Sequence, residues 1–365
     1  MAQRCPTTPA LVFDLSALQQ DFLEFREAFR NASIFYAVKA NSHPQILKRL
    51  AKLGAGFEIA SEGELRALLE LGVPAQRIMT SNPVKAPRFI AEAAAAGVQH
   101  YTFDSIPEVD KFVEHAPKAR LLVRLTVPND SSDWPLDKKF GVDPEQALDL
   151  LMHAHKRGVE PAGIAFHVGS QCRNAQGWRV ALEKTYAVWE QAQRKGLRLN
   201  LLDVGGGMPI VYTDPNVPRP AQVAKVIMDS VREMYPKGTQ VWLEPGRGVV
   251  GRAGTMVATV IGVATRHGTR WVHLDVGVFH GLAEAIGGIK FRFVSDAPGP
   301  IEPCTIAGPS CDSVDVVGTN VPLPQVRVGD RVVIPAAGAY TTAYVHEFNG
   351  MPGPDTLVIE SGGDA

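Results

Sequence analysis

The feature that most constrains this chain is an alternation. Short β-rich apolar runs, each closed by polar or Gly-rich residues, recur through about the first 250 positions, with helix-like stretches between them. Eight runs are readable, at residues 33–38, 56–60, 77–80, 100–103, 120–127, 163–168, 200–204 and 240–243. Helix-like stretches at 45–53, 62–71, 86–96 and 106–114 follow the first four. The first five runs begin about 22 residues apart, the length of one strand, one helix and two short loops. Later spacings of about 40 leave room for long loops. Strands that alternate with helices imply a parallel sheet with right-handed crossovers. Eight such units predict a closed (β/α)8 barrel; an open doubly wound sheet also alternates, but usually with fewer strands.

Beyond about residue 252 the texture changes. Short strands are expected at 256–264, 269–276, 304–307, 315–317 and 330–334, with Pro and Gly clustered between them (DAPGPIEP, NVPLPQVRVGD). The expected architecture is α/β: a barrel over 16–252, and an all-β, sandwich- or barrel-like domain over 253–365 with residues 1–15 threaded into it. The tail, 360–365, is expected to fray. A length of 365 residues suits two such bodies, and 45% hydrophobic with 21% charged residues excludes disorder as the main state. Lys plus Arg number 37 against 38 Asp plus Glu, which gives no support to a nucleic-acid or anionic-membrane partner. The first residues lack an apolar signal core, and no apolar run reaches about 18 residues. Cys5, Cys172, Cys304 and Cys311 form no C-x-x-C pair, so the expectation is reduced thiols in a cytoplasmic protein with no metal site.

In a barrel of this kind, chemistry gathers at the C-terminal ends of the strands. Read in order, those ends carry Lys39, Glu58, Asn82, Asp104, Arg124, His167, Gly205 to Gly207, and Glu244. Each has a bland reading: a surface lysine, a core histidine, a sharp glycine turn. Together they describe one amine, one imidazole, one backbone cradle for a phosphate and one fixed carboxylate. Lys39 could supply an amine of lowered pKa for a covalent bond to a carbonyl. The glycine triplet lets backbone N–H groups approach a phosphate, and Gly246 and Arg247 could complete that site. This set matches a phosphorylated aldehyde cofactor, pyridoxal 5'-phosphate. No H-E-x-x-H, G-x-S-x-G or Walker loop occurs.

The segments FYAVKAN (35–41), ASEGEL (60–65), HVGSQ (167–171), LDVGGGMP (202–209), EPGRGVV (244–250), GPSCDSVD (308–315) and GAYT (338–341) stand in one order along nearly the whole chain. In them the chain resembles the barrel-fold, pyridoxal-phosphate-dependent ornithine, lysine and diaminopimelate decarboxylases, whose fold also serves alanine racemase. NDSSDWPLDKKFG (129–141) is most similar to the bacterial ornithine/lysine branch. The resemblance implies that Lys39 holds the cofactor covalently and that His167 stacks on its ring. It implies phosphate contacts from Ser170, Gly205, Gly206, Gly207, Gly246, Arg247 and Tyr340. Glu244 is implied at the pyridine nitrogen and Arg124 near the ring hydroxyl. Cys311 is implied as the proton donor after CO2 leaves, and Asp312 as the contact for a distal amino group. Cys311 and Asp312 would come from the partner subunit of a homodimer with two shared sites.

Two departures from the family pattern bear on substrate. Glu58 stands where the family usually has aspartate. Ile286-Gly287-Gly288-Ile289 offers no acid where diamine-forming relatives carry a second one for the distal ammonium. Glu284 is the candidate substitute. The expected reaction is α-decarboxylation of an L-amino acid, most simply a basic one of the ornithine/lysine type. A larger or modified amino acid is the alternative within the class, and an amino-acid racemase the alternative outside it.

Overall fold

All eight apolar runs are strands, and they close on themselves. The computed structural model describes residues 7–361. Its strands Ser33–Ala37, Gly56–Glu58, Ile78–Thr80, His100–Phe103, Arg120–Arg124, Glu160–Ala165, Leu201–Asp203 and Gln240–Leu243 form one closed barrel. Every neighbouring pair is parallel, and Leu201–Asp203 bonds both to Glu160–Ala165 and to Gln240–Leu243. Helices return the chain between most of them, as parallel pairing requires. The barrel is filled. Phe35, Met79, Leu122, Ala165, Leu201 and Trp242 make one buried cluster drawn from six strands, with the Phe35 and Trp242 rings 4.4 Å apart.

Local sequence explains where helices begin. Ser61 caps the helix Glu62–Glu70 by accepting the Glu64 N–H at 3.3 Å, and the Glu64 carboxyl accepts the Ala60 N–H at 2.6 Å. Burial pushes the Glu64 carboxyl up to about 7, and the nearby Glu58 adds to the shift. Because this folded-state value exceeds the ordinary 4.5, the folded chain holds a proton that the unfolded chain has released. Stability is therefore expected to fall as pH rises from about 4.5 to about 7. Glu64→Gln, which keeps an acceptor for Ala60, should flatten that slope. Denaturation midpoints at intervals across the range read it directly; an unchanged slope would contradict the assignment.

The chain divides into two compact units, and the barrel is Phe22–Pro209 with Pro218–Gly246. The second unit holds the other described residues, including Ile210–Val217. It is built on Gly254–Arg266, a strand of 13 residues. The first part of that strand pairs with Ala10–Asp14 and Arg331–Ile334, and the last part with Thr269–Leu274. Glu302–Ala307 and Val316–Leu323 extend one side and Asp355–Ile359 the other, giving one connected sheet of seven strands. Asp355–Ile359 was not expected, because a lone five-residue run behind NGMPGP carries no periodicity. Cys5 and the end of the tail, 362–365, lie outside the described residues. Among the described residues Cys172, Cys304 and Cys311 are free thiols, no metal-ligating cluster occurs, and no helix is long and apolar enough to cross a membrane.

Candidate active site

The barrel unit brings its strand-end residues to one mouth. Lys39 lies in the single turn Val38–Ala40 directly after the strand Ser33–Ala37. Its Nζ is 3.2 Å from Oε2 of Glu58, whose side chain is 1% exposed against 49% for the lysine. Burial drives the Glu58 carboxyl up and Lys39 pulls it back, while the negative field of Glu244 pushes the same way as burial. Glutamate at this position thus reaches the amine directly, and the Ser81 N–H steadies its other oxygen at 3.4 Å.

Glu244 and Asp203 end adjacent strands, and both are buried. Ser81 donates its hydroxyl to Oε1 of Glu244 and stands 3.5 Å from Oδ2 of Asp203. Asp203 accepts the Gly205 N–H at 2.9 Å, and the Glu244 N–H donates to the Gly205 carbonyl at 2.9 Å. Burial, the charge of Asp203 and a hydrogen bond to it hold the Glu244 carboxyl well above the usual range. Asp203 is raised as well, chiefly by burial. Arg124 ends its own strand nearby; burial lowers its pKa, and Glu244, Asp203, Asp104 and Glu58 oppose that.

His167 follows the strand Glu160–Ala165 and packs on the glycine turn. Burial, helped by Arg124 and Lys39, pulls its pKa well below normal, so the ring is neutral. Nδ1 accepts the Gly169 N–H at 3.0 Å, which places the ring proton on Nε2. A Cβ at Gly206 would sit 3.1 Å from that Nε2 and 2.7 Å from the Glu244 carbonyl oxygen. Gly205 and Gly207 have φ of +66° and +90°, and a Cβ on either would strike the carbonyl oxygen of Phe166 or Gly169. The triplet is therefore required by the close approach of three chain segments, and it leaves an open backbone cradle beside a flat ring. Ser170 starts the short strand Ser170–Cys172, pairing with Ser132–Trp134 in the loop after Arg124. Asn129, unremarked in the sequence, ties that loop to the His167 carbonyl at 3.1 Å. Asp104 anchors its far end through the Gly141 N–H at 2.9 Å. Gly246 is reached through Pro245, whose carbonyl accepts the Ala37 N–H at 3.2 Å.

The second unit gathers Arg247, Tyr212, Glu284 and Tyr340. Arg247 makes a two-pronged ion pair with Glu284, at 2.7 and 2.5 Å, and donates to the Tyr212 hydroxyl at 2.6 Å. Its guanidinium also lies 5.0 Å from the Tyr340 ring centre. Burial opposes its charge, yet Tyr212 and Glu284 keep its pKa above the normal value, and burial pushes the Tyr212 hydroxyl up to about 12. Both Glu284 oxygens are engaged and the residue is 5% exposed, so the structure places this candidate substrate acid on Arg247 rather than in the open. Cys311 is exposed; its backbone N–H and its thiol both donate to Oδ1 of Asn349, at 3.2 and 3.4 Å. Asp312 accepts the Val314 N–H at 2.9 Å and turns the loop. Buried Asp315 pins the loop by accepting from Val278 and Ser310 at 2.8 and 3.0 Å. Asp203, Ser81, Asn129 and Asn349 were missed as individual residues. The one available signal was that Ser81 and Asp203 are polar residues closing barrel strands.

These groups fit a pyridoxal phosphate: an accessible amine, a flat neutral imidazole against a glycine cradle, and a buried carboxyl able to face a ring nitrogen. Residues 15–251 match the model of the pyridoxal binding domain of pyridoxal-dependent decarboxylases. The chain is 36% identical to a lysine/ornithine decarboxylase of Selenomonas ruminantium, over 99% of this chain and 91% of that protein. The solved structure of SrLDC with PLP and cadaverine is 36% identical, with a TM-score of 0.90 over 98% of this chain and 92% of that one. A lysine/ornithine decarboxylase of Vibrio vulnificus, solved with putrescine, is 32% identical, with a TM-score of 0.89 over 98% and 96%. The chain belongs to the pyridoxal-dependent decarboxylase family, and its barrel is the cofactor-binding domain.

Proposed function

We propose that the protein removes the α-carboxylate of a basic L-amino acid of the ornithine/lysine type, as a cytoplasmic homodimer whose sites are shared. The observation that carries the reaction type is Glu244, a buried carboxyl at the barrel mouth, backed by Asp203. Bound pyridoxal phosphate supplies an electron sink for the pair left behind as CO2 departs. A carboxyl at the ring nitrogen deepens that sink, which suits full carbanion formation and argues against a racemase.

Within this reading Lys39 holds the cofactor covalently and yields it to the substrate amine, with Glu58 steadying the ammonium form of the lysine. His167, neutral and fixed through Nδ1, offers its flat face. Arg124 serves the ring hydroxyl. Ser170 and the Gly205–Gly207 turn offer donors to a phosphate, as do Gly246, Arg247 and Tyr340. Cys311 of the partner gives a proton to the emptied carbon, and Asp312 of the partner receives the distal ammonium.

A second substrate reading has its own support. With Glu284 engaged by Arg247, and no acid at residues 286–289, one carboxylate is left where a desolvated ammonium is best served by two. A larger or modified side chain fits that arrangement. Product analysis tests the reaction itself. L-Lysine or L-ornithine should give CO2 and an achiral diamine in equal amounts. Return of the D-amino acid with all its carbon would establish the racemase instead.

A further inference from the structure

The mouth of the barrel holds more carboxyls than the reaction needs. Glu58 is matched to Lys39, and Glu244 has the ring nitrogen as its proposed partner. Asp203 is fully buried and has no such task. It sits at the end of the neighbouring strand, fixed by the Gly205 N–H at 2.9 Å, with the Ser81 hydroxyl spanning it and Glu244. Two buried carboxyls bridged by one hydroxyl do not both ionise; they share one proton. The charged groups facing the pair are Lys39, Arg124 and Glu58. Lys39 is drawn to Glu58, and Asp104 adds a further negative field on Arg124, so the surroundings do not strip the shared proton away.

We propose that Asp203 is a positioning residue that stores, with Glu244, the proton later carried by the ring nitrogen of the cofactor. As the nitrogen docks on Glu244, a carboxyl O–H bond breaks and an N–H bond forms. The pair goes from one negative charge to two, and the cationic ring balances the added one. No proton is drawn from solvent for this step. Burial raises both carboxyls, and the hydrogen bond between them raises Glu244 while it lowers Asp203; Asp203 also accepts a backbone N–H as a carboxylate would.

The inference rests on the proposed seating of the cofactor, and the test separates the two. Asp203→Asn keeps an acceptor for Gly205 and a hydrogen bond to Glu244 but removes the charge. On this proposal the charge of Asp203 is what keeps the proton on Glu244, so in the variant Glu244 gives it up before binding and the ring proton comes from solution. Calorimetric titration of cofactor-free protein with pyridoxal phosphate, in buffers of different ionisation enthalpy, counts the protons taken up. Asp203→Asn should take up about one more proton per site than the wild type at neutral pH. Equal uptake would overturn the proposal while leaving the cofactor site intact. Absence of binding in the wild type would overturn the site and the proposal together. If Asp203→Asn does not fold, infrared difference spectra of the wild type serve. A protonated-carboxyl band should disappear as cofactor binds; a band that persists, or that is absent beforehand, refutes the shared proton.

Discussion

Replacing Lys39 with alanine is expected to abolish covalent attachment of pyridoxal phosphate and to lower turnover on the order of 10³-fold or more. The turn after the strand Ser33–Ala37 sets one amine at the barrel mouth, and that amine is half exposed while its partner Glu58 is buried. An exposed amine can meet an aldehyde, and the buried carboxylate fixes its direction. Alanine also leaves Glu58 without its cation, so a second variant separates chemistry from electrostatics. Lys39→Arg keeps a positive charge for Glu58, but a guanidinium stays protonated and forms no such bond. Both variants should lack the visible absorbance of the covalently held cofactor, and Lys39→Arg should be the more stable. Covalent cofactor on either protein would remove Lys39 from its role.

Mixed dimers carry the second large effect. If Cys311 and Asp312 serve the partner's barrel, Lys39→Ala and Cys311→Ala damage the same site from opposite subunits. A dimer of one of each then has one site with both defects and one with neither. Random association of equal amounts makes half the dimers mixed, so activity should return to about a quarter of wild type from two nearly inactive parents. If each chain serves its own barrel, every site in the mixed dimer has one defect and activity stays at the level of the parents. Co-expression with two affinity tags isolates the mixed dimer. An inactive mixed dimer would refute sharing without touching Lys39.

Much of this was legible in the residues. Eight apolar runs sufficed for the barrel because a strand buried on both faces reads as a continuous apolar segment, and polar closure marks its end. The same rule placed Lys39, Arg124, His167 and Glu244 at one mouth. It could not show what those side chains touch. Glu284 looked available for substrate, yet it pairs with Arg247, 37 residues earlier in the chain. Asp203 read as one residue within the run 200–204, because the carboxyl it faces comes from the next strand, 41 residues on. Asn349 bears on Cys311 from 38 residues away, through a turn with φ of +59° that no periodicity announces. Local pattern sets elements and ends; pairing between distant polar groups appears only once the sheet is closed.

The most direct test of the account is release of CO2 by the purified, cofactor-loaded protein from carboxyl-labelled ornithine, lysine, arginine and diaminopimelate, beside larger and modified amino acids. Turnover of ornithine or lysine ahead of the others is the predicted result, and it would mean that Asp312 suffices for the distal ammonium. Covalent cofactor on Lys39, silence on every basic amino acid and turnover of a larger substrate would contradict the proposed substrate class.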